Sequence, residues 1–75
     1  MKSVVSDIIK EIDPIITMHD FRIVDGPTHT NLIFDIVIPF EFKHTDDAVI
    51  KLIASKIRTY NPDFYVVINV DKSYT

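Results

Sequence analysis

From Thr30 to Ile38 the chain reads TNLIFDIVI, apolar on both parities from Leu32 onward except at Asp35. In an extended segment Leu32, Phe34, Ile36 and Ile38 fall on one face, and Ile33 and Val37 on the other. A strand with two apolar faces belongs in the middle of a sheet, covered or partnered on both sides. The remaining segments have to supply its neighbours.

Upstream, Val4, Ile8 and Ile12 recur at helical spacing, with Val5 and Ile9 widening the stripe and Ser3 as N-cap. The spacing predicts a helix over Ser3 to Asp13, stopped by Pro14, because the residue before a proline avoids the helical region. From Ile15 to Val24 β-branched and aromatic residues alternate with polar ones, and Asp25-Gly26-Pro27 punctuates the end. That segment predicts the first strand of a short hairpin.

Downstream, Thr45 is a suitable N-cap, and Asp46 and Asp47 put negative charge where the helix dipole favours it. Ile50, Ile53, Ile57 and Tyr60, with Val49 beside them, predict the apolar face of a second helix, which Asn61-Pro62 ends. Phe64 to Asp71 alternates as a last strand, with Phe64, Val66, Ile68 and Val70 on one face and Tyr65, Val67, Asn69 and Asp71 on the other.

The predicted order is αββαβ. A short hairpin makes the first two strands antiparallel, and a helical crossover suits a parallel third strand. The expected fold is α+β: a truncated ferredoxin-like two-layer sandwich. It has a three-stranded mixed sheet with two helices on one face, built as one domain over residues 1–75. Two helices cover only one face. The other is expected to carry Ile33, Val37, Tyr65 and Val67 beside Asp35, Asn69 and Asp71. An exposed apolar patch of that kind is usually an interface, and a homodimer through the open sheet face is the expected partnership.

Composition supports a partner surface and excludes several functions. Apolar residues make up 47% of 75 positions, more than one small core easily hides. Cysteine is absent, so neither disulfides nor thiolate zinc ligands are available. The net charge of -3 and the lack of a Lys/Arg cluster argue against nucleic acid. No apolar run approaches the roughly 20 residues of a membrane-spanning helix, so this segment is expected not to insert into a membrane. No glycine-rich phosphate loop, HExxH pair or GxSxG elbow occurs, and no enzymatic activity is expected.

Polar residues that interrupt apolar strands are the candidate site. His19 and Asp35 each lie eight positions from Pro27. A hairpin symmetric about that proline sets them opposite, with β-carbons roughly 4.5 to 5.5 Å apart. Asn69 and Asp71 share a face of the neighbouring strand. Imidazole and carboxylates converging there could hold a divalent cation, which offsets the cost of gathering negative charge. Equally, His19 and Asp35 could form a plain hydrogen-bonded pair, with Asp71 in solvent. His29 and His44 fall in predicted loops. Tyr60, Tyr65, Tyr74 and the five phenylalanines read as core and interface rather than as a base-stacking platform.

Met18-His19-Asp20-Phe21-Arg22, then Gly26-Pro27-Thr28, a long apolar strand, a helix and the terminal Val67-Ile68-Asn69-Val70-Asp71 resemble the C-terminal domain of cation diffusion facilitators. These are membrane carriers of divalent metals such as zinc. The resemblance covers nearly the whole chain. It implies a regulatory homodimer on the cytoplasmic side of the cell membrane, attached to the transporter's own transmembrane domain, in which metal bound near the subunit interface favours transport.

The resemblance also implies a ligand set. His19 matches the histidine of the first strand, and Asp71 the carboxylate two residues after the last-strand histidine. Asp35 and Asn69 stand where many members place histidines, and Val49 replaces a further one that it cannot imitate. One of the two usual sites is therefore expected to be lost. A set of His19, Asp35, Asn69 and Asp71 favours manganese, iron(II) or weakly held zinc. The rival readings are a constitutive dimerisation module without metal and an ACT-like small-ligand regulatory domain.

Overall fold

The computed structural model describes residues 1 to 73, so Tyr74 lies outside the described residues. The elements follow the order α1 (Lys2–Ile12), β1 (Thr17–Asp25), β2 (Thr30–Pro39), α2 (Asp46–Tyr60) and β3 (Phe64–Ser73). The sheet order is β1-β2-β3, antiparallel between β1 and β2 and parallel between β2 and β3. The strand with two apolar faces is the central one, as its pattern requires.

Along β2 the burial alternates strictly. Leu32, Phe34, Ile36 and Ile38 are fully buried beneath the helices, while Ile33, Asp35 and Val37 are half-buried on the far side. The buried set meets Val5 and Ile9 of α1, Ile16, and Val49, Ile53 and Ile57 of α2. Each such side chain contributes about 1.5 to 3 kcal/mol relative to exposure. Among the described residues no polar or charged residue is buried in this core. All of the chain's polar chemistry is therefore left to its surfaces.

The helix ends follow from local chemistry. Thr45 Oγ1 accepts a 3.2 Å hydrogen bond from the Ala48 amide, which satisfies one of the first-turn donors of α2. Asp46 is ion-paired at 2.6 Å with Lys72 of β3, tying the helix start to the strand end. At the end of α1, Asp13 is extended ahead of Pro14.

Four local expectations are corrected. The N-cap of α1 is Met1, without a side-chain cap bond, rather than Ser3. The same helix buries Val5 and Ile9 and leaves Val4, Ile8 and Ile12 half-buried. With five apolar residues in the stripe, its neighbours choose the rotation and periodicity does not. β1 starts at Thr17, not Ile15, because Asp13 holds residues 14 and 15 in a turn: its Oδ1 accepts from the Ile15 amide at 3.0 Å and its carbonyl from the Ile16 amide at 3.2 Å. Tyr60, expected on the apolar face of α2, is 58% exposed. It is the last helical residue and stacks on Phe64 at 6.3 Å instead of entering the core.

A β-bulge interrupts β1. From the turn inward the pairs are Asp25 with Thr30, Val24 with Asn31, Ile23 with Leu32 and Arg22 with Ile33; beyond the bulge His19 pairs with Asp35 and Thr17 with Val37. Asp20 and Phe21 together oppose Phe34. Asp20 takes a left-handed backbone with φ of 54°, a conformation that a short polar side chain tolerates better than most. The ring of Phe21 stacks on that of Phe34 at 5.9 Å.

Candidate functional site

The uncovered face of the sheet owes its polar row to this bulge. Near the turn, paired positions sum to a register centred between Pro27 and Thr28, not on Pro27 as a symmetric hairpin would have it. If the same sequence continued in the near-turn register without a bulge, Asp20 would stand opposite Asp35 and His19 would turn toward the helices, since a one-residue slip exchanges the faces. The inserted residue restores the His19–Asp35 pairing and places His19 and Arg22, three apart in sequence, on the same face.

Across the sheet, Asp35 pairs in turn with Asn69 and Val37 with Asp71. His19, Asp35 and Asn69 thus form one transverse row over three strands, with Asp71 one step further along β3. Asn69 Nδ2 donates a 3.1 Å hydrogen bond to Asp35 Oδ1. His19 Nε2 lies 3.1 Å from Thr17 Oγ1, so its imidazole leans along its own strand toward Thr17. Asp71 is exposed at its register position.

As donors these groups fit a divalent cation in kind: an imidazole, two carboxylates and, with Nδ2 already donating, the Oδ1 of Asn69. They fall short of one in number within a single chain. Among the described residues no three His, Cys, Asp or Glu side chains gather closely enough to hold a metal ion.

The row is framed by apolar residues. Val67 is 51% exposed and Tyr65 45% exposed on β3, and Ile33 and Val37 are half-buried beside them on β2. The Tyr65 ring lies tilted against that of His29 at 4.2 Å, and the Arg58 guanidinium lies 4.8 Å from its ring centre. His29 is further held by Thr28 Oγ1 at 3.1 Å from Nδ1, and His44 packs edge-on to Phe42 at 5.9 Å. Neither histidine joins the row. Val49 is buried in the core and contributes packing there.

Two residues absent from the sequence-based site border it. Asp20 and Arg22 line a shallow depression together with Phe21, Asp35 and Asn69. The only hint in sequence was an aspartate inside an otherwise β-favouring run, which is compatible with a bulge without requiring one. A small-ligand site of the ACT-like kind would need free backbone donors at a glycine-rich loop. The one glycine, Gly26, spends its amide on the His29 carbonyl at 2.9 Å.

No protein-family model matches the sequence, and no curated protein matches it. Solved structures do. A chain of CzrB, assigned as a zinc transporter, superposes with a TM-score of 0.77 at 14% identity, covering 96% of this chain and 92% of that one. The metal-bound C-terminal domain of the CzcD transporter from Thermotoga maritima superposes with a TM-score of 0.69 at 20% identity, covering 99% and 93%. The chain shares the fold of these two transporter chains. At such identities what the CzrB and CzcD chains have in common with it is the path of the backbone. The α+β expectation, with two helices on one face of a three-stranded mixed sheet, agrees with both.

Proposed function

We propose that this chain is the cytosolic dimerisation domain of a cation diffusion facilitator, non-enzymatic, which binds a divalent metal near a two-fold interface and thereby favours transport by an attached membrane domain. The observation that carries this reading is the transverse row His19–Asp35–Asn69, with Asp71 beside it, set among exposed apolar side chains on a sheet face that no helix covers. The shared fold supports it, since the Thermotoga maritima domain is metal-bound and both neighbours are transporters.

Among the described residues of one chain no three such donors gather, so a complete coordination shell calls for a second copy, for a turn of His19 away from Thr17, or for both. A cation held there would neutralise the carboxylates that two apposed faces would otherwise bring together. Metal and association would then be thermodynamically linked, each strengthening the other by the same factor. Among the described residues no helix is long and apolar enough to cross a membrane, so transport itself belongs to the attached domain.

Sedimentation equilibrium with zinc or manganese against chelator, on the wild type and His19→Ala, tests the proposal. The wild type should associate more tightly with metal and the variant should not. A chain that stays monomeric throughout, or equal responses from the two proteins, would overturn it. A second reading, a dimeriser that needs no metal, is favoured by the Asn69–Asp35 hydrogen bond, which satisfies that carboxylate unaided. Wild-type association unchanged by chelator would select that alternative.

A further inference from the structure

We infer that the outer edge of β3 is a contact surface of its own, on which a second copy of this chain adds its β3 in antiparallel register to make a six-stranded sheet. The inference goes beyond the reading above, which concerns the face of the sheet, and it needs no metal.

The two edges of the sheet are unlike. On β1 the bulge, the left-handed Asp20 and the exposed charges of Asp20, Arg22 and Asp25 interrupt the ladder and guard it against another strand. β3 keeps a single register with β2 from Phe64 to Ser73, without a bulge, and contains neither proline nor glycine. Lysine is a usual edge guard, but Lys72 is ion-paired with Asp46 of its own chain. Among the described residues, Tyr65 to Ser73 make no backbone hydrogen bond outside the pairing with β2. Every second N–H and C=O along this edge is therefore open to a further strand.

The helix layer also stops short of this edge. Val66, Ile68 and Val70 pair with Leu32, Phe34 and Ile36 of β2, yet they are half-buried where those three are fully buried. On the other face Val67 is 51% exposed. The occupant this edge fits is an extended strand with apolar side chains on both faces, and β3 itself is one. Directly opposed residues share a face, so a two-fold axis has to pass through a residue. An axis through Ile68 sets Ile68 against its own copy, Val66 against Val70 and Val67 against Asn69. The next pair is Tyr65 with Asp71, so no like charges meet although the chain carries a net charge of -3. Arg58, on the Tyr65 ring and at the Pro62 carbonyl, crowds the start of the strand, and the contact centres on Val66 to Val70.

Cysteine is absent from the chain, so single replacements report contacts without background. Ile68→Cys should form a covalent dimer under mild oxidation, because opposed β-carbons stand roughly 4.5 to 5.5 Å apart, near what a disulfide spans. Val66→Cys alone should not, since its own copy lies four positions away, about 13 Å along the strand. A mixture of Val66→Cys and Val70→Cys should cross-link. Hydrogen exchange on the unmodified protein supplies a readout that no substitution can disturb: β3 amides should exchange more slowly, by about tenfold or more, in concentrated than in dilute solution. Cross-linking of Val37→Cys, on the uncovered face, without that of Ile68→Cys would confine association to the face and overturn the edge contact. Exchange from β3 that is equal at all concentrations would overturn it as well, whether the chain dimerises by its face or stays monomeric.

Discussion

Asn69 of β3 donates a 3.1 Å hydrogen bond to the carboxylate of Asp35 on β2, joining the two polar interruptions of otherwise apolar strands across their parallel pairing. Each residue explains why the other is tolerated. A half-buried carboxylate on a central strand needs a donor, and the neighbouring register position supplies one. The same contact bears on metal, because a cation would have to share the carboxylate with the amide.

Replacing that amide by imidazole should shift the balance. In Asn69→His a nitrogen ligand stands beside Asp35 in place of a weak amide oxygen, and imidazole suits zinc better. Zinc affinity should rise by about tenfold or more, read as a lower Kd in calorimetry and a larger metal-induced rise in Tm. An unchanged Kd would put the ion away from the transverse row.

The apolar frame makes a separate prediction. Val67 is half exposed, so Val67→Asp should leave the monomer fold intact by circular dichroism. It should weaken self-association by at least about tenfold, because an unpaired charge at the centre of an apolar contact is costly. Sedimentation velocity across a concentration series measures this. Equal sedimentation of variant and wild type would move the interface to another surface.

The bulge can be probed by backbone preference. Asp20→Gly keeps the left-handed conformation available and should cost little, whereas Asp20→Val should destabilise by about 1 to 2 kcal/mol in urea unfolding. Deleting Asp20 should heal the strand into a regular ladder with Phe21 opposite Phe34 and His19 still opposite Asp35, so any His19-dependent metal binding should persist in a folded chain. Loss of His19-dependent binding in a folded deletion protein would show that pairing with Asp35 is not what places His19.

In the core, Ile53→Ala should cost about 2 to 5 kcal/mol, a large share of what so small a domain has available. Thr45→Ala, which removes only the α2 cap bond, should cost about 1 kcal/mol. Urea midpoints at constant slope compare the two, and equal losses would mean that Ile53 packs far less tightly than its full burial indicates.

What was legible in the sequence is what strict periodicity encodes. The two-faced run from Leu32 to Ile38 identified the central strand, and the polar side of β3 followed from alternation alone. What was not legible depends on partners elsewhere. The rotation of α1 is set by the layers it meets, and Tyr60 left the core because its helix ends there. His19 was assigned the right partner through an assumed symmetry that the hairpin lacks. A left-handed Asp20 corrects the register, and nothing in the local pattern distinguishes that aspartate from an ordinary strand residue. Arg22 entered the neighbourhood of the site for the same reason and was equally hidden.

The hydrogen bond from Asn69 to Asp35 spans 34 positions of chain, closed only when the α2 crossover brings β3 alongside β2. Closing so long a loop precedes any reward from the contacts it permits. The hairpin of β1 and β2 can form from neighbouring residues, but on its own it presents only His19 and Asp35 of the row. A chain still emerging during synthesis would therefore lack the complete polar row until its last strand had docked, so the row exists only once the whole sheet has been assembled.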